Sequence, residues 1–479
     1  MSKLLLCVFL VLPFLSAIVN TIFETVRKNI EHSKIADVSF IMLFVFSLYF
    51  ILTNNDIQFQ FLNFNFNFNN TNFIFIFVCN FIFLLFSLIS RNLILKSHKL
   101  FYGVILLLCG LVNIILINDN ILIDYLCLFW IFLLNYLLYS NFSKEKSSKE
   151  LSYYLGLDIF TVLVSFSFVG YGLLRYFVVN DISFSFNQIA FYYDNISELS
   201  FQFAFWGLII IIFRLFHFLP FLSYPFRYSD KDNSLILSLN VLIFLLLGSF
   251  LLEKTYIAFN VQFIQDFKIL AIYFIVNILY FSFLFFGQKN FIKALISIIP
   301  LSLFSGIFIL FSNEYSMLAS CIVYFIAVML SFSFAIFVFL IIEDKLNTNR
   351  FEFLEKIKND IVLKYSVVLS LIITAKVPPF ILFSSLIICL LSLFSLTLNN
   401  LVMKISVFFI IFSILIVVFA CIDLIYKILI KPELKIKQIS KISKMQFFVL
   451  FLIFLFILLF SLCPNFIFEQ LLYISVLGN

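Results

Sequence analysis

Charge is scarce in this sequence. Asp, Glu, Lys and Arg make up 12% of the 479 residues while 64% are hydrophobic, and a mean hydropathy of +1.15 lies outside the range of a water-soluble domain. Histidine is scarcer still: His32, His98 and His217 are the whole complement, so haem or copper sites built from paired imidazoles have no support. The eight cysteines (Cys7, Cys79, Cys109, Cys127, Cys321, Cys389, Cys421 and Cys463) lie scattered in apolar surroundings with no C-x-x-C pair, which reads as buried packing. There is no G-x-G-x-x-G, no P-loop and no H-E-x-x-H, so nucleotide, phosphate and metalloprotease chemistry have no motif to stand on. No loop is long enough to fold as an enzyme domain, and none carries His, Asp or Ser at catalytic spacing. Glycine and proline are few, at 10 and 8, while Phe reaches 73. With Leu, Ile, Asn, Lys and Tyr also abundant, the usage follows A- and T-rich codons, from which an organellar genome is expected.

What the chain does have is apolar runs of about 18 residues or more separated by short polar gaps, the spacing of helices that cross a hydrocarbon core. A β-barrel would need short alternating segments instead. The expected fold class is an all-α polytopic membrane protein. Its segments are placed at 3–22, 38–53, 73–90, 100–117, 121–140, 151–178, 199–222, 234–252, 268–286, 291–312, 315–342, 361–398, 403–428 and 446–472. That gives about 14 transmembrane helices. The first, "LLLCVFLVLPFLSAIV", has a poor cleavage pattern and is taken as a span, not a signal peptide. "FQFLNFNFNFNNTNF" alternates with a period of two, which suits a strand or interfacial hairpin; a compositional quirk of a short loop is the preferred reading.

Lysine and arginine decide the topology. Arg27, Lys28 and Lys34 follow segment one, Arg91, Lys96 and Lys99 segment three, Lys144, Lys146 and Lys149 segment five, Arg227 and Lys231 segment seven, and Lys289 segment nine. The run "KPELKIKQISKISK" from Lys431 joins the same face only if 361–398 crosses once, broken at Pro378 and Pro379. Both termini then lie opposite the basic loops.

An ionisable group inside a span costs roughly 2.5 to 3.5 kcal/mol on insertion scales, so each one is a functional candidate. The candidates are Asp124, Glu150, Asp158, Arg175, Arg214 with His217, Lys364, Lys376, and Asp423 with Lys427. Arg175 and Lys427 sit near helix ends, where long stems snorkel to the interface, and Asp423 and Lys427 are spaced to pair along one helix. In "RLFHFLPFLSYPF" a cation precedes the break expected at Pro220 and Pro225; in "TAKVPPF" Lys376 precedes Pro378 and Pro379. A broken helix exposes backbone polar groups at depth, and two such breaks in separate halves of a chain point to an ion pathway built from inverted repeats.

These features resemble the antiporter-like chain 2 (subunit N) family of respiratory complex I. The resemblance is carried by "DYLCLFWIFLLNYLLYSNFSKEKSSKELSYYLGL" with "GYGLLRY", by "FWGLIIIIFRLFHFLPFLSYPFRY" at that family's seventh helix, and by "SLIITAKVPPFILF" at its broken twelfth helix. It implies helices one to four over 1–120, a first repeat of helices five to eight over 121–260, a second of helices nine to thirteen over 261–445, and a last helix over 446–479, with helices 7 and 12 broken. It implies proton translocation driven by quinone reduction elsewhere in a complex, with ubiquinone, flavin and iron-sulfur clusters on other subunits and no cofactor here. It further implies membrane-arm subunits and lipids as partners, no nucleic acid, and a mitochondrial inner membrane with the basic loops in the matrix. Carried over position by position, the family's fifth-helix glutamate falls on Phe129, its seventh-helix lysine on Arg214, its eighth-helix lysine near Asn240 and its twelfth-helix lysine on Leu386; Glu150 alone keeps its type. The proton pathway is therefore expected to use Asp124, Glu150, Arg214, His217, Asn240, Lys364 and Lys376. Asp124 would replace the missing acid, His217 and Lys376 would titrate, and Arg214 would be a fixed charge stabilising a nearby carboxylate. A non-pumping subunit of the same complex and a stand-alone transporter or flippase are the alternatives.

Overall fold

A computed structural model of the chain describes residues 2–22, 30–53, 57–61, 64–68, 70–93, 98–142, 148–180, 184–191, 198–218, 234–259, 268–310, 315–346, 348, 350–351, 354, 357, 360–396, 401–429 and 442–462. Almost all of it is helix, for the reason the composition gives: a backbone without water must bond its own amides and carbonyls within the segment. The buried hydroxyls follow the same rule and bond back to their own helix, as Ser249 does to Leu245 O at 2.8 Å and Thr374 to Ser370 O at 2.9 Å. Among the described residues, 9 helices are long and apolar enough to cross a membrane. The described cysteines are free and buried except Cys7, which is half-exposed; the side chains of Cys389 and Cys463 lie outside the described residues.

The chain divides into two compact units, Met1–Phe216 with Ile243–Asn260, and His217–Leu242 with Val261–Asn479. Unit one contains α1 (Ser2–Ile22), α2 (Ile30–Thr53), α3 (Asn70–Leu93), α4 (His98–Ile117), α5 (Ile121–Phe142), α6 (Ser148–Asn180), the short α7 (Phe186–Phe191) and α8 (Glu198–Leu215), with the later part of α9 (Ser234–Ala258). Helix α1 packs on α4, α2 on α3, and α6 on α8. Helix α9 lies against α3 and α5 through Phe250 on Phe75 and Phe244 on Phe132, each pair with ring centroids 5.3 Å apart. Strands β1 (Ile57–Phe61) and β2 (Phe64–Phe68) form an antiparallel hairpin, so the Phe–Asn alternation is structural and the reading as a mere loop quirk is corrected. In its register Phe59 pairs with Phe66 and Gln58 with Asn67 along the ladder.

Unit two contains α10 (Lys268–Gly287), α11 (Phe291–Leu310), α12 (Tyr315–Leu346), α13 (Ile361–Thr374), α14 (Ile381–Leu396), α15 (Leu401–Leu429) and α16 (Lys444–Leu462). Helix α12 is its axis, buried from Ser320 through Ile342 and packed against α11, α13, α14 and α16. The segment 361–398 is broken as its prolines require, into α13 and α14. The first amide of α14, Ile381 N, would be orphaned at the break and is capped by Ser461 Oγ of α16 at 2.8 Å.

The same order of parts occurs in both units. In unit one the α4–α5 loop bridges Asn120 to Ser185, just ahead of α7 and α8; in unit two the α10–α11 loop bridges Asn290 to Arg350, just ahead of α13. Each of these later helices then stops in a residue of left-handed backbone, His217 with φ 56 and Lys376 with φ 59.

Candidate functional site

Helix α8 ends at Leu215, before Pro220 and Pro225, which lie outside the described residues. The break is therefore earlier than the sequence suggested, and His217 stands in it. Helix α13 likewise ends at Thr374, and its terminus carries both hydrogen bonds of a Schellman motif: Lys376 N to Ile373 O at 3.0 Å and Val377 N to Ile372 O at 3.3 Å. The left-handed position of that motif ordinarily belongs to glycine, because a Cβ there costs roughly 1–2 kcal/mol. Lys376 occupies it here, and His217 also holds left-handed backbone just past α8; each is 5% exposed. Lys376→Gly is therefore expected to melt higher than Lys376→Ala by about 1–2 kcal/mol, the reverse of the order inside a helix. Thermal denaturation of the two variants checks it, and the same inversion is expected for His217.

The last residues of α8 bring the first charged pair together. Arg214 donates through Nε to Asp158 Oδ1 of α6 at 2.6 Å, and through Nη2 to the same oxygen. Both residues are buried, at 4% and 9% exposure. The carboxylate beside Arg214 is thus Asp158 of α6.

Asp124 has a different cation. Helix α9 runs to Ala258, beyond the end at 252 read from hydropathy, and so carries Lys254 into the fold. The Lys254 ammonium donates to Asp124 Oδ2 at 2.9 Å, to Ile115 O at 2.9 Å and to Asn118 O at 2.5 Å, which engages all three of its protons. Two of these acceptors are carbonyls at the C-terminal end of α4, where a cation is favoured by the helix dipole. Asn118 Nδ2 supports the other Asp124 oxygen at 3.1 Å, and the rings of Phe250 and Phe186 lie 4.8 and 5.3 Å from the ammonium. Beside this cluster the Asp119 carboxylate accepts from Ser185 Oγ, clasping the α4–α5 loop to the start of α7. Burial pushes the Asp119 carboxyl above its ordinary value, against the Ser185 hydrogen bond and the Lys254 charge, which lower it.

In unit two, Lys376 Nζ donates to the Tyr324 hydroxyl of α12 at 3.2 Å. Lys364 is half-buried in the first turn of α13, 6.0 Å from the Tyr365 ring, and Asp423 and Lys427 pair with each other on the exposed side of α15. Asn240 is buried on the unit-two part of α9, and its Oδ1 has no hydrogen-bond partner among the described residues. Phe129 and Leu386 lie on α5 and α14 and bring no charge to either group. Glu150 falls in the first turn of α6 and Arg175 near its end, where the backbone alone is described.

Fold and buried charge together define the class: a polytopic, predominantly helical membrane protein whose two units each hold a cation at or beside a broken helix. More particularly, its fold is shared by solved chains of membrane complexes. A chain of respiratory complex I from Thermus thermophilus superposes with a TM-score of 0.83 at 13% identity, covering 97% of each chain. A chain of the membrane-bound sulfane sulfur reductase, an archaeal respiratory membrane complex, gives 0.80 at 14% identity, over 97% of this chain and 96% of that one. A chain of the Mrp complex from Dietzia sp. DQ12-45-1b gives 0.78 at 10% identity, over 97% and 96%. At such identities the likeness is one of fold. No protein-family model and no curated protein matches the sequence.

Proposed function

We propose that this chain is an antiporter-like proton-translocating subunit in the membrane arm of respiratory complex I, set in the mitochondrial inner membrane with its basic loops in the matrix. The observation that carries the reading is the Arg214–Asp158 pair, buried at the end of a broken helix. A guanidinium holds its proton at any physiological pH, so the proton this pair can exchange is the one on the Asp158 carboxylate. Deprotonated, Asp158 is held by Arg214; protonated, it loses the charge that binds the fork, and the pair can open. Lys254, saturated by three acceptors, ties Asp124 to the end of α4 and holds α4, α5 and α9 together. In unit two the group suited to exchange is Lys376, whose ammonium meets a phenol hydroxyl at the break. His217, at the unit-two side of the first break, is the remaining titrating candidate. Electron transfer, with flavin, iron-sulfur clusters and ubiquinone, belongs to partner subunits in this reading.

The test is the proton-to-electron ratio of the purified complex in sealed vesicles. The full ratio is expected in the wild type, with a loss of about one subunit's share in Asp158→Asn and in Lys376→Met. A wild-type ratio already short by that share would leave the chain as a structural subunit. Migration of the native protein in detergent as a small particle free of respiratory partners would point instead to a stand-alone transporter.

A further inference from the structure

Asp158, Ser165 and Gly172 follow one another at heptad spacing on α6, and Ser200, Gly207 and Arg214 do the same on α8. The two sets meet in antiparallel order, Asp158 with Arg214, Ser165 with Gly207, and Gly172 with Ser200. A shared period of seven keeps these faces opposed along both helices.

The middle contact is a hydrogen-bonded node. Ser165 Oγ donates to Gly207 O at 2.6 Å, which commits its only hydrogen. The Tyr125 hydroxyl of α5, 2.5 Å from Ser165 Oγ, is therefore the donor between those two. Three helices are tied at one point, one heptad from the ion pair on both α6 and α8. There is no slack in it: a Cβ on Gly207 would stand 2.7 Å from Val169 Cγ2, 2.8 Å from Ser165 O and 2.9 Å from Val169 N. Two of those atoms are backbone and cannot rotate away. Because Asp158 is short and the Arg214 fork acts only over hydrogen-bond distances, the spacing of the helices at the node decides whether the pair closes.

We propose that Tyr125, Ser165 and Gly207 are positioning residues for the Arg214–Asp158 pair, fixing the register and separation of α6 and α8. The functional consequence rests on the proton-translocation reading above; the geometric claim does not. The test uses the full chain in its native assembly, with Gly207→Ala as a wedge, Tyr125→Phe as a variant that adds no volume, and Asp158→Glu as the compensating change. Two quantities are read: the infrared carboxylate band of residue 158, isolated by subtraction of Asp158→Asn, and the proton translocation rate.

Gly207→Ala is expected to shift the band and lower translocation roughly 100-fold, the scale of loss for a misplacement of about 1 Å. Tyr125→Phe shifts the band in the same direction by less. Asp158→Glu alone also impairs translocation, but added to Gly207→Ala its extra methylene spans the widened gap and restores both quantities. A merely structural role for the node would lower yield in both variants and give no such rescue. An unmoved band in Gly207→Ala and Tyr125→Phe, or no recovery in the double variant, overturns the proposal. Should Gly207→Ala fail to assemble, the band in Tyr125→Phe decides alone. A band that moves and recovers while translocation ignores every variant, Asp158→Asn included, upholds the positioning and overturns the proton-translocation reading.

Discussion

Replacing Arg214 with methionine is expected to destabilise the chain by about 3–5 kcal/mol, because it leaves the Asp158 carboxylate buried without its cation. The effect comes from the partner left behind more than from the bond lost. Arg214→Met combined with Asp158→Asn should therefore regain most of the stability, since a buried ion pair is worth little against neutral groups of similar volume. Arg214→Lys keeps the charge but delivers it as a single point, without the guanidinium's two donors on Oδ1. It is expected to fall between wild type and Arg214→Met. Thermal denaturation of the four proteins in the same detergent measures the cycle. If Arg214→Met and the double variant melt together, the pair does not exist in the membrane.

Lys254→Met is expected to have the second large effect, again about 3–5 kcal/mol, for a buried charge stripped of its partner. Here the orphans are the Asp124 carboxylate and the carbonyls of Ile115 and Asn118. Asp124→Asn added to Lys254→Met should recover only part of the loss, because it neutralises the acid and leaves both carbonyls unpaired. That partial recovery distinguishes this cluster from the Arg214–Asp158 pair, where the double variant recovers most. Full recovery here would mean that Lys254 serves Asp124 alone and does not hold the end of α4.

Much of this architecture was legible from local pattern. Apolar runs placed the helices, because a helix in lipid satisfies its backbone within one segment and needs no knowledge of its neighbours. Pro378 and Pro379 placed a break, because a missing amide acts locally. The hairpin is legible too, in the alternation of Phe with Asn. Lys254 lies outside the apolar pattern for a local reason: hydropathy falls at Glu253 and Lys254, whereas the helix continues to Ala258, where the ammonium has acceptors. The signal present is a basic residue just beyond an apolar run.

Local pattern alone thus yields the membrane class, the helices, one break, and the short roster of buried charges that contains Asp124, Asp158, Arg214 and Lys376. Only the tertiary structure decided the pairing. Asp158 to Arg214 and Asp124 to Lys254 are contacts across 56 and 130 positions of chain, settled by which faces of α5, α6, α8 and α9 meet. The structure also set two basic residues within the breaks, His217 and Lys376, in left-handed backbone. Hydropathy records how deep a residue can lie; it carries no information about what lies opposite, and a buried charge takes its role from its partner.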